Sequence, residues 1–295
     1  MASEPAPVPP RPRLADADAR ARNLARARRM AIPDFGRDIL RAEIEERLNE
    51  VNRSFTRPVL VATDAASWSG VFSGWPVVEA GELLDLEPGA HDLVVHAMAL
   101  HWAEDPVGQI VQCRRALAPD GLFLGAFPGG RTLAGLRAAL MQAEVELRGG
   151  AAPRVIPMID LRDAGAFLQR AGLALPVADS IVTRVSYASI VALARDLRAA
   201  GEGNALAARH RAPLPRAVAR RAETLLRASE PETGDRFVER LELVFLTGWA
   251  PADNQPKPLR PGSAQARLAD ALGTVEYRED GLGTDTTGRL DPDAP

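Results

Sequence analysis

The feature that most constrains the fold is a pair of apolar segments separated by a helical pattern. The first segment, residues 92–102, reads DLVVHAMALHW, and the second covers residues 119–126. Asp105 can cap the helix between them, and Pro106 can open it. Residues 93–97 are apolar on both faces, as a central parallel strand should be. The sequence therefore predicts a βαβ unit, from which nucleotide-type cofactor clefts are built.

The rest of the chain alternates helical patterns with short β-branched runs. Helices are predicted at residues 38–51, 106–117, 133–147, 161–171, 189–199 and 216–228, and further strands at residues 59–62, 77–78, 122–127, 180–185 and 237–247. The last strand alternates apolar with charged residues, which suits an antiparallel edge strand. The predicted fold class is α/β: a mostly parallel sheet with an antiparallel last strand and helices on both faces.

Composition narrows the class of protein. A length of 295 residues with 46% apolar content is ample for one large domain. The net charge of −3 argues against a general nucleic-acid binder, and we expect none. Because Cys113 is the chain's one cysteine, an internal disulfide is excluded and the cytoplasm is the expected location. No apolar run reaches the roughly 20 residues that span a bilayer, so we expect no transmembrane segment.

The two ends of the chain carry opposite charge. Residues 1–29 hold seven arginines against three acids, and residues 270–295 hold seven acids against two arginines. Both ends are poor in large apolar residues. We therefore expect a disordered basic tail over residues 1–29, a folded domain over residues 30–271 and a disordered acidic tail over residues 272–295.

Several short motifs follow the βαβ unit. They are LHW at 100–102, PDGLF at 119–123, GGRTL at 129–133, GLR at 135–137, GEGNA at 201–205, TGWAP at 247–251 and KPLRPGS at 257–263. Together with residues 92–102, which look like a fourth-strand motif, they resemble class I S-adenosylmethionine-dependent methyltransferases. Within that superfamily they are similar to the branch of the methyltransferase-like complex I assembly factor and its bacterial relatives.

The resemblance implies a Rossmann-like fold and S-adenosylmethionine as the cofactor. It also implies a protein partner, such as a subunit of respiratory complex I. The activity would be methylation or, as in the complex I branch, hydroxylation of a partner arginine. No nucleophile and base can be assigned from the sequence. Methyl transfer needs little side-chain chemistry, because the sulfonium is already activated and alignment supplies most of the barrier reduction.

The chain departs from this superfamily after its first predicted strand. Active members carry an acid-x-Gly-x-Gly turn there, because glycine lets the backbone approach the cofactor. Here residues 61–66 read VATDAA, and the first glycine that follows is Gly70. Only 27 residues separate Asp64 from Asp92, which is room for one βα unit and not two. We expect a shortened first half, and the missing turn favours a binding or assembly protein without turnover.

The strand predicted at residues 59–62 can be assigned in two ways, and each assignment implies that a different part of the first half is missing. If residues 59–62 are the first strand, Asp64 lies near the methionine end of the cofactor. If they are the second strand, Asp64 stands where an acid holds the ribose hydroxyls. Pro58 follows the helix directly, as in the family, which favours the first assignment. An ordinary loop acid or helix cap is the alternative to both.

The candidate cofactor residues follow the predicted strands. The resemblance places Glu82 at the adenine edge, and His96 ends the central strand. His101 and Trp102 would form the floor of the cleft, with a packed core histidine and tryptophan as the alternative. The full set is Ala62, Asp64, Glu82, His96, Ala97, His101 and Trp102.

The candidate substrate residues are Gly129, Gly130 and Arg131, in a flexible turn beside the cleft; a simple strand-to-helix loop is the alternative. We expect no metal site. The histidines at 91, 96 and 101 recur every five residues, but ten residues of extended strand cover about 33 Å, and ligands must converge on one ion.

Overall fold

The computed structural model describes residues 13–30, 32, 34–256, 276–277 and 283–284. The helices are α1 (Ala17–Met30), α2 (Phe35–Glu50), α3 (Ala65–Trp68), α4 (Pro106–Ala116), α5 (Ala134–Arg148), α6 (Leu161–Arg170), α7 (Ile190–Ala199) and α8 (Arg216–Ser229). The strands of the main sheet are β1 (Pro58–Ala62), β2 (Val77–Glu79), β3 (His91–Ala97), β4 (Leu117–Pro128), β5 (Ala174–Tyr187) and β6 (Phe237–Trp249). Short 3-10 helices cover Leu100–Trp102 and Pro231–Thr233.

The sheet has the strand order β2-β1-β3-β4-β6-β5. Strands β2, β1, β3 and β4 run parallel, and β6 is antiparallel to both of its neighbours. This confirms the α/β class with an antiparallel last strand. The expected edge position of that strand is wrong, because β6 lies between β4 and β5. Its central residues Leu243, Val244, Phe245 and Leu246 are all buried, as a strand with neighbours on both sides requires.

The first half of the sheet is shortened, as expected. Between β1 and β3 the chain contains one short helix, α3, and one strand, β2. Strand β1 is hydrogen-bonded directly to β3, which carries the predicted fourth-strand motif. In the doubly wound order the first strand lies beside the fourth. This position supports the assignment of β1 as the first strand.

Helices cover both faces of the sheet, because alternate residues of each strand face opposite sides. Val59 and Val61 of β1 pack with Ile110 of α4 and Leu168 of α6 in one apolar cluster. On the other face, a second cluster joins Leu60 and Ala62 of β1 to Leu40 and Ile44 of α2. Each fully buried large side chain stabilises the fold by roughly 1.5–3 kcal/mol. A third cluster lies between α5, α7 and α8.

The expected disordered tail over residues 1–29 is corrected by α1, which runs from Ala17 to Met30. Asp16 caps this helix by accepting the backbone N–H of Ala19 at 2.9 Å. The Asp16 carboxylate also pairs with Arg209 at 2.8 Å. Leu24 and Met30 are the only large apolar residues of α1, so its sequence has no apolar stripe to reveal it. Residues 1–12 lie outside the described residues.

The chain divides into two compact units, residues 1–252 and residues 253–295. In the second unit, strands β7 (Glu276–Tyr277) and β8 (Gly283–Thr284) pair antiparallel. These four residues belong to the predicted acidic tail of residues 272–295, and the rest of that tail lies outside the described residues. The KPLRPGS motif at 257–263 lies outside them too.

Glu239 on β6 is a buried carboxyl group beneath the start of α5. Only 3% of the residue is exposed, and its Oε1 has no hydrogen-bond partner among the described residues. Burial raises its pKa to about 7, against the hydrogen bond that it accepts from the Leu136 N–H. A proton therefore binds more tightly to the folded chain than to the unfolded chain. Stability from this group is present below pH 4.5 and is lost as the pH rises through 7.

The substitution Glu239→Gln should remove this pH dependence. We expect its free energy of unfolding to be close to that of the wild type at pH 4 and to exceed it at pH 8 by on the order of 3 kcal/mol. Urea denaturation at both pH values measures the difference. The matched control is Glu46→Gln on the exposed face of α2, which should change neither value. A variant that is less stable than the wild type at pH 8 would contradict the assignment.

Candidate functional site

The carboxyl ends of β1 and β3 form the edge where doubly wound sheets bind their ligands. The predicted cofactor residues Ala62 and Ala97 end these strands, pair in register and are fully buried. A cavity of about 330 Å³ lies at this edge, and we call it the edge cavity. It is lined by the loops after β1 and β3, by α1 and α2 and by the segment after α7. Its lining includes Arg20, Leu24, Arg28, Asp64 and Glu202.

Asp64 occupies the turn after β1 in a left-handed conformation, with φ 64°. Glycine adopts this conformation without strain, and aspartate is among the few other residues that tolerate it. One carboxylate oxygen of Asp64 lies 2.7 Å from the Arg28 guanidinium of α1, and the other accepts the Ser67 hydroxyl at 2.5 Å. The turn thus keeps the backbone shape of a glycine turn while its side chain is fastened to α1.

Glu79, at the end of β2, also stabilises the turn that contains Asp64. Its two carboxylate oxygens accept the backbone N–H groups of Asp64 at 2.8 Å and of Ala65 at 2.7 Å. Sequence reasoning missed this residue. The available signal was an acid placed directly after the short apolar run Val77–Val78 at the carboxyl end of a strand.

His96 is a packed core histidine in this structure. The side chain is fully buried, and its Nε2 lies 2.9 Å from Oε1 of Gln109. Burial lowers the pKa of His96 to about 4, so the imidazole is neutral at pH 7 and its Nε2–H donates to the Gln109 amide oxygen. The Gln109 amide nitrogen in turn donates to the Gly81 carbonyl at 2.8 Å. Neighbouring Glu82 is exposed, and its backbone carbonyl accepts from Gln112.

The carboxylate of Glu202, in the segment after α7, contacts three side chains. Its Oε2 accepts the Trp102 indole N–H at 2.7 Å and lies 3.3 Å from Nε2 of His101. Its Oε1 pairs with the Arg20 guanidinium at 2.9 Å. Burial alone would raise the pKa of Glu202, but Arg20, His101 and Trp102 outweigh it and lower the pKa to about 2. The group is therefore a carboxylate at every pH of interest.

Arg20 completes this cluster from α1. Its guanidinium carbon lies 4.8 Å from the centre of the Trp102 ring, and its Nη1 donates to the Gly201 carbonyl at 2.5 Å. We call Arg20, His101, Trp102 and Glu202 the carboxylate cluster. It joins the LHW motif to the GEGNA motif, 100 residues apart in the chain. Sequence reasoning selected His101 and Trp102 but missed Glu202 and Arg20; the GEGNA motif was the signal for Glu202.

The predicted substrate turn is packed rather than flexible. A Cβ on Gly129 would lie 2.5 Å from Val244 Cγ2, so this glycine is required by close packing against β6. The backbone N–H of Gly129 donates to the Glu242 carbonyl at 2.8 Å, and that of Arg131 donates to the Glu242 carboxylate at 2.7 Å. Gly130 is less crowded, since its nearest atom would be 3.6 Å away. In the described residues this turn does not line the edge cavity.

In the described part of the chain, no three His, Cys, Asp or Glu side chains converge as metal ligands would. No helix there combines the length and the apolar content needed to cross a membrane.

Gly129→Ala should destabilise the fold by about 1–3 kcal/mol, because the added methyl overlaps Val244 in a filled core. The matched control is Gly130→Ala, where the methyl meets only ordinary contacts and stability should change by no more than ~0.5 kcal/mol. Urea denaturation of both variants measures the contrast. Equal stabilities for the two variants would show that the turn is flexible, as the sequence suggested.

Glu202→Gln should release α1 without unfolding the sheet. The amide cannot pair with the Arg20 charge, and a buried hydrogen bond to a charged group contributes more than ~1.4 kcal/mol, so trypsin should cleave the arginines of α1 at least about tenfold faster. The readout is the rate of loss of the intact amino terminus by mass spectrometry. Glu232→Gln, at an exposed acid, is the control. An unchanged cleavage rate would mean that Glu202 does not hold α1.

Comparison with known proteins shows which family has this architecture. A family model described as a methyltransferase domain matches residues 58–125, from β1 into β4. The chain is 33% identical over 189 residues to the mitochondrial arginine-hydroxylase NDUFAF5 of Danio rerio, covering 64% of this chain and 59% of that protein. The Homo sapiens protein of the same name is 33% identical over 194 residues, covering 66% and 56%. The chain thus spans less than two thirds of these relatives.

A bacterial relative is matched over more of its length. The chain is 32% identical over 232 residues to the malonyl-[acyl-carrier protein] O-methyltransferase of Laribacter hongkongensis, covering 78% of this chain and 70% of that protein. The fourth-strand motif lies on β3, beside the first strand, as the superfamily order requires. The chain therefore belongs to the class I S-adenosylmethionine-dependent methyltransferase superfamily, and it is similar to the NDUFAF5 arginine hydroxylases.

Proposed function

We propose that this protein is a binding or assembly factor built on the methyltransferase fold, which acts with a protein partner such as a respiratory complex subunit. The observation that carries the proposal is the attachment of α1 to the turn that borders the edge cavity. The ion pair of 2.7 Å between Arg28 and Asp64 joins this helix to the turn after β1. That turn is where a catalytic member of the superfamily would bring its main chain against the cofactor.

Family membership supports S-adenosylmethionine as the cofactor by resemblance, but the residues of the edge do not fit it in this conformation. A cofactor that lies against the main chain needs the space that glycine leaves. Asp64 puts a carboxylate there, and Leu24 and Arg28 of α1 line the space in front of it. Both Glu79 oxygens already bind backbone N–H groups of the same turn.

The partner class follows from the branch. The motifs that resemble the complex I assembly factor lie between residues 100 and 263, and two of them, LHW and GEGNA, meet at the carboxylate cluster. The NDUFAF5 relatives are named as arginine hydroxylases, so their acceptor is an arginine. We propose that this chain likewise meets an arginine-bearing protein. The cytoplasm remains our proposal for its location, resting on the single cysteine.

Catalysis with S-adenosylmethionine, by methylation or by arginine hydroxylation, is the second candidate. One observation favours it: the edge cavity of about 330 Å³ lies where open α/β sheets bind their ligands. Displacement of α1 would enlarge this space. The two candidates differ in what they require of the wild-type chain, since catalysis requires that the cofactor bind.

A calorimetric titration of S-adenosylmethionine into the full-length protein should show no micromolar site, because the turn lacks glycine and α1 closes the edge. The Laribacter hongkongensis methyltransferase, titrated under the same conditions, is the positive control for the assay. In parallel, the tagged full-length protein should retain a respiratory-complex subunit from native membranes, and the tag alone should not.

Each measurement bears on a different part of the proposal. A micromolar dissociation constant for the wild-type chain would overturn the closed edge and favour the catalytic candidate. Failure to retain any respiratory-complex subunit, with the protein folded and the cofactor unbound, would overturn the assembly role.

A further inference from the structure

We propose that Trp102, Glu202 and the Gly201 carbonyl form a guanidinium-binding site that Arg20 of α1 fills within the chain. An arginine side chain of the protein partner enters this site when α1 moves away, so that α1 acts as an internal competitor. The inference deepens the proposed function, since it rests on the existence of a protein partner and names the side chain that the partner presents.

The geometry of the site is specific for a planar cation. The Arg20 guanidinium carbon lies over the Trp102 ring, 4.8 Å from its centroid, while Nη2 pairs with Glu202 at 2.9 Å and Nη1 donates to the Gly201 carbonyl at 2.5 Å. Face contact and two divergent N–H donors can be satisfied together by a guanidinium and not by the compact ammonium of lysine. The site therefore selects arginine over lysine.

The acceptor side of the site is assembled without Arg20. Glu202 is held by the Trp102 indole N–H at 2.7 Å, and His101 lies within 3.3 Å of the same oxygen. His101 is 2% exposed, and its Nδ1 has no partner among the described residues. The indole face and the carboxylate thus keep their places when Arg20 leaves. A buried carboxylate without its cation is unfavourable, so the vacated site attracts another guanidinium.

The helix that carries Arg20 packs Leu24 and Ala27 against Gly201 and is otherwise attached by polar contacts. Apart from Arg20, these are the pair of Arg28 with Asp64 and the Asn23 amide, which donates to the Gly203 carbonyl at 2.9 Å. Asp16, just before the helix, pairs with Arg209. No α1 residue belongs to the three apolar clusters of the described chain. Partly exposed ion pairs contribute little each, so α1 can leave while the apolar core stays intact.

The place of the site fits an incoming segment. Arg20 and Glu202 both line the edge cavity, which extends along α1 to Arg28 and Asp64. A partner segment that replaces α1 would lie along this cavity with its arginine over Trp102. In the resting chain α1 occupies the site. The apparent affinity for a partner arginine is therefore the intrinsic affinity multiplied by the fraction of chains in which α1 is released.

The test uses the full-length protein and an arginine with uncharged capped termini, Nα-acetyl-arginine amide, as the probe. Binding is followed by NMR through the Trp102 indole N–H resonance, assigned with Trp102→Phe. The variant Arg20→Ala removes the competitor and should bind the probe at least about tenfold more tightly than the wild type. Arg28→Ala, which loosens α1 and leaves the site intact, should give a smaller gain. The matched control is Arg26→Ala, an exposed arginine of the same helix, which should bind as the wild type does.

Two further measurements test the chemistry of the site in the Arg20→Ala protein. Nα-acetyl-lysine amide should bind at least about tenfold more weakly than the arginine probe, because it lacks the planar fork. Adding Glu202→Gln should abolish binding of the arginine probe. Circular dichroism checks that each variant is folded, and Arg28→Ala keeps the test open if Arg20→Ala is not.

Equal affinity of wild type, Arg20→Ala and Arg28→Ala for the arginine probe would overturn the inference, as would equal binding of the lysine probe. This failure is distinct from failure of the proposed function. If the site binds arginine but no respiratory-complex subunit is retained, the assembly role is wrong. If the subunit is retained equally by Arg20→Ala with and without Glu202→Gln, the partner exists and does not use this site.

Discussion

The buried carboxylate of Glu202 is the interaction on which the organisation of the site depends. It draws together the amino-terminal helix through Arg20 at 2.9 Å and the loop after β3 through Trp102 at 2.7 Å. The helix and the loop are far apart in the chain. No residue of α1 belongs to the three apolar clusters of the described chain. A carboxylate with three donors around it is stable in a low-dielectric setting, whereas one left alone is not. Ion pairs and hydrogen bonds are therefore the main interactions that fix the position of α1.

The closed edge changes what the methyltransferase fold can do. The sheet keeps the neighbouring first and fourth strands, β1 and β3, whose carboxyl ends form the ligand-binding crevice of this superfamily. At that crevice Asp64 takes a glycine-like conformation but directs a charged group to α1. Glu79 secures the turn by two backbone hydrogen bonds. The scaffold is retained, and the groups that could meet a cofactor are engaged with the protein itself.

Sequence reasoning succeeded where apolar pattern decides the outcome. The buried strand at residues 93–97, the helix opened by Pro106 and the shortened first half follow from burial, capping and chain length, and the structure contains all three. It failed where long-range contacts decide. Helix α1 has no apolar stripe, and distant partners that include Glu202, Asp64 and Gly203 hold it in place. The neighbours of β6 could not be read from its own residues, because strand order is set by the rest of the sheet.

The same reasoning explains why the site could be predicted only in part. His101 and Trp102 stand in a motif beside a strong strand, but their partner Glu202 lies about 100 residues later in a glycine-rich segment without periodicity.

Once these three residues meet, the release of α1 from the edge cavity becomes coupled to charge. Arg20 can leave Glu202 at low cost only if another cation replaces it, because a largely buried carboxylate that loses its ion-pair partner is destabilised. Opening of α1 is thus favoured in the presence of a guanidinium, and the closed state is favoured in its absence.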